Sequence, residues 1–258
     1  MLNGFIFDLD GTVYLGERLI PGAGRVIRRL REKGRKVVFV SNKPLFTRQE
    51  YAAKLTRLGI PTSPQEIINS TLVMTRYLRE AAPRARVFVI GESPFLREMV
   101  EAGFHLTEDP EEVDYVIAAF DRTFDYQKLL IAFKAVIRGA HFIATNPDRT
   151  CPFPEGELPD CAAIIAAIEA VTQRQVEVVV GKPSPITARV VLDLVGLRPE
   201  ECVLVGDRLE TDVRMGLDAG MTTALVMTGV TTDEILKTSS IKPHYVFRSI
   251  ADVEGLVD

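Results

Sequence analysis

Cysteine and histidine are scarce in this sequence, with only three residues of each among the 258. The cysteines, Cys151, Cys161 and Cys202, are widely spaced and form no CxxC pair. This pattern argues against a disulfide framework and predicts reduced thiols in a cytoplasmic protein. The histidines show no HExxH spacing, so a zinc site is not expected.

Long hydrophobic runs and basic tracts are also missing. No apolar stretch approaches the roughly 20 residues of a membrane-spanning helix, and the N-terminus enters a predicted strand almost at once. We therefore expect neither a membrane anchor nor a signal peptide. The net charge is −4, and no basic run with interleaved aromatics is present, which argues against a nucleic-acid partner. A hydrophobic content of 47% over this length is enough for one large domain or two ordinary ones.

Strand-like and helix-like segments alternate along the whole chain. Residues 36–42, KVVFVSN, have the composition of a buried strand, and they lie between helices predicted over 22–34 and 47–58. This repeated order predicts an α/β fold with a parallel sheet and right-handed crossovers.

The middle third of the chain keeps the alternation, but its strand ends lose their acidic and hydroxyl side chains. We interpret residues 71–175 as a separate, smaller α/β domain that is inserted into a first domain of residues 1–70 and 176–258. The buried strand predicted at 176–180 would return the chain to the first domain.

Four predicted strands of the first domain end in polar side chains. These strand ends carry Asp8 with Asp10, Ser41 with Asn42, Lys182, and Asp207. Desolvating Asp8 and Asp10 after a buried strand is costly unless a metal ion, a shared proton or backbone N–H groups compensate. An Asp-x-Asp-Gly stretch by itself is often only a turn. Because the carboxyl ends of parallel strands meet at one edge of a sheet, we expect the four ends to converge on one crevice.

The four segments together resemble, in order, the four motifs of the haloacid dehalogenase (HAD) superfamily of phosphatases. The matching segments are DLDGT at 8–12, Ser41 at a strand end, GKPSP around Lys182, and GDRLETD at 206–212. The long insertion, with ATNPD at 144–148, is similar to that of subfamily IIA, which includes NagD-like, AraL-like, p-nitrophenyl phosphatase and pyridoxal phosphatase enzymes. The resemblance covers nearly the whole chain and implies a Rossmann-like core with an inserted α/β cap domain.

The resemblance also implies an activity, namely Mg²⁺-dependent hydrolysis of small phosphate monoesters such as sugar phosphates and p-nitrophenyl phosphate. Asp8 would be the nucleophile that forms an aspartyl-phosphate, and Asp10 would serve as general acid and then general base. The carboxylates of Asp8 and Asp207 and the main-chain oxygen of Asp10 would bind Mg²⁺. Lys182 would stabilise the nucleophile and the transferring phosphoryl group.

Other residues receive supporting roles from the same resemblance. Ser41 and the backbone N–H of Asn42 suit phosphate oxygens, as Lys182 does. Thr12 and Asp212 would orient the metal ligands without binding the metal themselves. An Asp near a helix start is often only a cap, so that interpretation of Asp212 stays open.

In subfamily IIA the insertion acts as a cap over the crevice, and its loops decide the substrate. Asn146 and Arg149 are predicted to bind substrate, and the loop 149–158 also offers Phe153 and Glu155 as contacts. The Asn-Pro pair is a turn signal as well, so a purely structural corner is an equal interpretation. The expected partner is a small phosphorylated metabolite, and the protein would be a monomer or a homodimer.

Several rival functions share parts of this pattern. A phosphoryl transferase or mutase would use the same aspartate and pass the phosphoryl group to a second sugar instead of water. A nonenzymatic phosphoacceptor module also combines acids, a hydroxyl and a lysine at strand ends, but in a smaller fold without a cap. Nucleotide-binding classes are disfavoured, because Gly22-Ala23-Gly24 lacks a third glycine and Gly181-Lys182 lacks the earlier glycine of a P-loop.

Overall fold

The computed structural model describes residues 1–153 and 156–256. Within these ranges the strands, in chain order, are β1 (Gly4–Asp8), β2 (Tyr14–Leu15), β3 (Arg18–Leu19), β4 (Lys36–Ser41), β5 (Ile67–Asn69), β6 (Arg86–Ile90), β7 (His105–Leu106), β8 (Tyr115–Ala118), β9 (His141–Ala144), β10 (Thr150–Phe153), β11 (Gly156–Pro159), β12 (Val178–Val179), β13 (Cys202–Gly206), β14 (Thr222–Val226) and β15 (Tyr245–Phe247).

Helices follow most of these strands. In chain order they are α1 (Ala23–Glu32), α2 (Arg48–Arg57), α3 (Ser70–Ala81), α4 (Ser93–Glu101), α5 (Tyr126–Arg138), α6 (Cys161–Thr172), α7 (Pro185–Val195), α8 (Arg214–Asp218) and α9 (Asp233–Thr238). Shorter helical turns are a π-helical turn at Leu209–Val213 and 3₁₀ turns at Pro64–Glu66, Pro199–Glu201 and Ile250–Leu256. None of the helices described combines the length and apolar composition needed to cross a membrane.

The chain forms two compact units, of which the first comprises Met1–Ser41, Arg48–Ile68 and the described residues from 182 onwards. Its main sheet has the strand order β15-β14-β13-β1-β4-β5, and β1 pairs in parallel with both β13 and β4. All five residues of β1 are buried. Helix α1 covers this sheet with an apolar stripe of Val26, Ile27 and Leu30, which belongs to the same core as the aromatic residues of β1.

The second unit comprises Asn42–Thr47 and the described residues of Asn69–Gly181. Its sheet has the order β12-β9-β8-β6-β7, and every pair in it is parallel. The apolar faces of α5 and α6 pack in one core with β8 and β9, through residues such as Ala135, Ile168, Val116 and Phe142. Both units alternate strands and helices around parallel sheets, so the predicted α/β class is confirmed.

The structure corrects the predicted position of the strand at 176–180. Val178 lies opposite Ile143, which places β12 at the edge of the second unit's sheet and not in the first. The chain accordingly returns to the first unit at Lys182 rather than at 176. The sequence pattern could not decide this, because an apolar run fits the edge of either sheet and only its pairing partner distinguishes them. The roles of the two units as catalytic core and cap stay a prediction.

Most of the predicted loop 149–158 lies in two paired strands. β10 and β11 pair antiparallel, with Cys151 opposite Leu158. Two prolines, Pro152 and Pro159, lie in these strands and conceal the alternation that would have indicated them.

Candidate active site

The site in the first unit begins where β1 ends. Asp8 is the last residue of this strand, and only 8% of its surface is exposed. Gly11 adopts φ 85°, a left-handed conformation that favours glycine, and its N–H donates to the carbonyl of Tyr14 at 2.8 Å. The tight turn lifts the chain off the sheet and leaves Asp10 partly exposed beside the buried Asp8.

Lys182 brings the positive charge to this point. Its ammonium donates to Asp8 Oδ1 and to Asp212 Oδ1, each at 2.5 Å, and the residue is 2% exposed. Ser184 caps the following helix, α7, by accepting from the N–H of Ile186, which fixes the backbone just after the lysine. Lys182 therefore reaches the crevice from a helix start and not, as predicted, from the end of a strand in the same sheet.

Two further carboxylates come from the segment after β13. This strand runs parallel to β1 with Val205 opposite Phe7, so Asp207 follows the strand at the same edge of the sheet as Asp8. The π-helical turn then returns Asp212, whose Oδ2 accepts from the backbone N–H of Arg208 at 3.2 Å. A Cβ on Gly206 would lie 2.3 Å from the Asp212 side chain, so glycine is needed for this approach.

The three carboxylates outnumber the positive charge that balances them. One carboxylate oxygen of each of Asp8, Asp207 and Asp212 lies within 4.8 Å of those of the other two. Burial raises the pKa of Asp8 well above its usual range, and the opposing charge of Lys182 does not offset this. Burial, followed by the charge of Asp212, raises the pKa of Asp207 to about 7. Burial lowers the pKa of Lys182, but Asp212 and Asp8 together outweigh it, so this amine stays charged.

These charges fit a divalent cation. Three ionised carboxylates and one ammonium leave two negative charges in a buried volume, which is costly without compensation. Hard carboxylate oxygens are the donors that Mg²⁺ prefers. Burial and the neighbouring carboxylates raise the pKa values of Asp8 and Asp207, and a cation bound between these groups would favour their ionised forms. The carboxylate of Asp10, predicted to bind metal only through its main-chain oxygen, is not part of this group among the described residues.

Two more residues assigned to the first unit lie close to the strand ends. Val40 of β4 is opposite Asp8, so Ser41 is the next residue along the neighbouring strand, and it is buried. Thr12 is fully buried, and its hydroxyl has no hydrogen-bond partner among the residues described. A buried hydroxyl without a partner is uncommon and is consistent with an interaction that forms only when a ligand is bound.

Residues of the second unit predicted to bind substrate form a separate network. The side-chain amide of Asn146 donates to the carbonyl of Asn42 at 3.2 Å, and its carbonyl oxygen accepts from the N–H of Asp148 at 3.0 Å. Asn42 in turn donates to Asp148 Oδ2 at 3.1 Å. Asn146 is fully buried, and these bonds are those a structural corner requires. Substrate binding by Asn42 and Asn146 stays a prediction.

The hairpin of the second unit holds the remaining candidates. Arg149 is exposed just before β10. The ring of Phe153 packs with Leu45, Phe120 and Cys151 and lies 4.2 Å from the ammonium of Lys43. Glu155 lies outside the described residues.

Sequence reasoning assigned no role to the segment after β14, although this strand ends at the same edge of the sheet. The N–H of Val230 donates to Asp207 Oδ2 at 2.7 Å, and the hydroxyl of Thr228 donates to the carbonyl of Gly11 at 2.5 Å. The signal available in the sequence was the Thr-Gly pair at 228–229, directly after the apolar run at 223–227.

Comparisons with known proteins identify the family of this chain. The chain matches the family models for haloacid dehalogenase-like hydrolases, at residues 5–105, and for HAD-hydrolase-like proteins, at 179–253. It is 38% identical over 255 residues to the sugar-phosphatase AraL of Bacillus subtilis, an alignment that covers 99% of this chain and 93% of that protein.

Solved structures give the same result. The 4-nitrophenylphosphatase of Thermotoga maritima is similar with a TM-score of 0.95 and 35% identity, covering 100% of this chain and 98% of that one. NagD of Escherichia coli K-12 is similar with a TM-score of 0.88 and 31% identity, covering 97% and 98%.

The chain therefore belongs to the haloacid dehalogenase superfamily of hydrolases and, within it, to subfamily IIA. It is an enzyme of the phosphatase class, a hydrolase acting on phosphoric monoesters. The predicted family is confirmed.

Proposed function

We propose that this enzyme is a Mg²⁺-dependent phosphatase of small phosphorylated metabolites, including sugar phosphates and aryl phosphates such as p-nitrophenyl phosphate, and that it works through an aspartyl-phosphate on Asp8. The observation that carries the proposal is the buried ammonium of Lys182, shared between Asp8 and Asp212 beside the carboxylate of Asp207. The sugar phosphatase and 4-nitrophenylphosphatase relatives support this substrate range.

Asp8 and Asp207 would hold the cation through their carboxylates and Asp10 through its main-chain oxygen, with Asp212 holding Lys182 in place. When bound, Mg²⁺ supplies the positive charge that lets an anionic nucleophile approach a phosphate dianion. The residues present fit it, because they offer oxygen donors and an uncompensated double negative charge.

In the first step a carboxylate oxygen of Asp8 forms a bond to phosphorus, and the bond from phosphorus to the ester oxygen breaks. Asp10 donates a proton to that leaving oxygen, and its partial exposure is consistent with exchange of protons with water. In the second step water attacks the phosphorus and gives its proton to Asp10, which restores Asp8 and releases phosphate. Lys182 stabilises negative charge in both steps without changing its own protonation.

The remaining predicted contacts complete the proposal. Ser41 and the backbone N–H of Asn42 would donate to phosphate oxygens. Asn146 and Arg149 would contact the rest of the substrate, and for Asn146 the structural corner remains an equal interpretation. A cytoplasmic location is consistent with Cys151, Cys161 and Cys202 being free and buried; that location and the monomeric or dimeric state stay predictions.

Release of inorganic phosphate and p-nitrophenol from p-nitrophenyl phosphate tests the proposal. We expect turnover with Mg²⁺, none with a chelator, and a loss of at least ~10³-fold in Asp8→Asn. Full activity of Asp8→Asn would rule out the nucleophile. A phosphoryl transferase or mutase, which shares the aspartate, would release p-nitrophenol in excess of phosphate when a sugar acceptor is added. A phosphoacceptor module would release one p-nitrophenol per protein molecule and show no turnover.

A further inference from the structure

The segment from Thr228 to Thr231 lies outside the four motifs, yet it is hydrogen-bonded to Asp207 and to Gly11 in the first unit. The Val230 N–H donates to the Asp207 carboxylate at 2.7 Å, and the Thr231 N–H donates to the Asp207 main-chain carbonyl at 3.2 Å. These two N–H groups therefore hold Asp207 through both its side chain and its backbone.

The same segment is tied to the turn that carries the other acids. The Thr228 hydroxyl donates to the main-chain carbonyl of Gly11 at 2.5 Å, and these two residues are 217 positions apart in sequence. Gly11 follows Asp10 directly, so this hydrogen bond joins the strand end of β14 to the Asp8–Asp10 turn. A displacement of Thr228 would shift the turn and Asp207 relative to each other.

Two glycines make this arrangement possible. A Cβ on Gly229 would lie 1.9 Å from Asp207 Oδ2, and a Cβ on Gly11 would lie 2.7 Å from the same oxygen. Both distances are far below van der Waals contact, so any side chain at Gly229 would force the carboxylate away. Gly229 is itself exposed to solvent, which means that core packing does not explain the need for glycine there.

We propose that Thr228 and Gly229 are positioning residues that set the affinity of the site for a divalent cation. This inference rests on the proposed function, in which Asp207 is a metal ligand. The N–H of Val230 donates to Oδ2 of Asp207, and the two glycines leave the space that this carboxylate occupies, so the side chain is oriented before a cation arrives. Hydrogen-bond partners that orient metal ligands typically change metal affinity by about 10–100-fold when they are removed.

The test is a calorimetric titration of Mg²⁺ into the full-length protein without substrate. We expect Thr228→Val to bind Mg²⁺ about 10-fold more weakly than the natural protein, and Thr228→Ser, which keeps the hydroxyl, to bind within about twofold of it. Gly229→Ala should lose about 10–100-fold, because it displaces the carboxylate directly. If Gly229→Ala fails to fold, the comparison of Thr228→Val with Thr228→Ser still tests the inference.

Thr223→Val is the matched control. Thr223 lies in β14, five positions before Thr228, and its hydroxyl is hydrogen-bonded to His244 at 3.0 Å, so Thr223→Val likewise removes a hydroxyl hydrogen bond from this part of the chain. Equal weakening in Thr223→Val and Thr228→Val would show a general loss of structure and overturn the inference, as would unchanged binding in Thr228→Val. If the natural protein binds no Mg²⁺ at all, the proposed metal dependence itself is wrong. This result distinguishes failure of the proposed function from failure of the inference about Thr228 and Gly229.

Discussion

The ammonium of Lys182 lies 2.5 Å from Asp8 Oδ1, although 174 positions separate the two residues. The lysine is also hydrogen-bonded to Asp212, so one cation holds the end of β1 and the π-helical turn together. Because all three side chains are buried, this contact is at once structural and electrostatic.

Lys182→Met should therefore lower both stability and activity. We expect the free energy of unfolding, measured by urea denaturation in chelator, to fall by roughly 3–5 kcal/mol, because the substitution leaves buried carboxylates without a partner. The rate constant kcat for p-nitrophenyl phosphate should fall by about 10²–10³-fold at saturating Mg²⁺. Lys36→Met, which removes a lysine whose ammonium donates to the Val195 carbonyl at 2.7 Å, is the control and should keep normal kcat. Normal kcat in Lys182→Met would contradict its assigned role.

Asp10→Asn should affect substrates according to their leaving groups. An alkoxide leaving from a sugar phosphate needs a proton in the transition state, whereas p-nitrophenolate is stable as an anion. We expect kcat to fall about 10²–10⁴-fold for a sugar phosphate, and by at least tenfold less for the first step with p-nitrophenyl phosphate. The burst of p-nitrophenol in stopped-flow measurements reports that first step. Equal losses for both substrates would show that Asp10 does not act as the acid.

Asp8→Asn should stabilise the metal-free protein while abolishing activity. Burial raises the pKa of Asp8, so the folded state disfavours its ionised form, and the stability of the natural protein falls as pH rises from the unfolded pKa toward the raised one. At neutral pH an uncharged Asn removes this cost.

In chelator at pH 7.5 we expect the Tm of Asp8→Asn to exceed that of the natural protein by at least roughly 2–4 °C, the shift that 1 kcal/mol produces in a chain of this size. Added Mg²⁺ should raise the Tm of the natural protein more than that of the variant. A lower Tm for Asp8→Asn in chelator would mean that its carboxylate is already compensated without metal.

In the second unit, Glu92 and Arg122 should contribute pH-dependent stability. The guanidinium of Arg122 donates to both oxygens of Glu92 at 2.7 Å, and this hydrogen bonding lowers the pKa of Glu92. The contribution is present above the ordinary glutamate pKa and is lost as pH falls through the lowered one.

Glu92→Gln should therefore lower the free energy of unfolding by about 1 kcal/mol at pH 7, with the difference from the natural protein shrinking toward pH 3. Urea denaturation across pH measures it. Glu111→Gln, which breaks a more exposed pair with Arg138, should have a smaller effect and serves as the control. If the difference in unfolding free energy between Glu92→Gln and the natural protein did not depend on pH, the loss would come from packing and not from the ion pair.

Much of the first unit could be predicted from sequence, because its strands are continuous apolar runs that end in polar residues. Asp8 and Asp207 lie close together because parallel neighbouring strands bring their carboxyl ends to one edge, a rule that needs no coordinates. Asp212 was assigned a supporting role, yet it shares the ammonium of Lys182 directly. Its position depends on a π-helical turn that one-dimensional periodicity does not reveal.

Other features depend on pairings between distant segments. The strand before Lys182 belongs to the second unit because Val178 pairs with Ile143, and nothing in a short apolar run specifies that partner. The role of Thr228 depends on a single hydrogen bond to Gly11, and Gly229 is required only because Asp207 lies against it. In a sequence, Thr-Gly after a strand is indistinguishable from an ordinary turn.

The most direct test of the account is to identify the covalent intermediate. Asp10→Asn should form the aspartyl-phosphate from p-nitrophenyl phosphate with Mg²⁺ but hydrolyse it slowly, so that acid quenching within the first turnover captures it. Mass spectrometry of the digested protein should then find one phosphoryl group on the peptide containing residue 8, absent in chelator and in the Asp8→Asn, Asp10→Asn double variant. A phosphoryl group on another residue, or hydrolysis without any labelled peptide, would contradict the assignment of Asp8 as nucleophile.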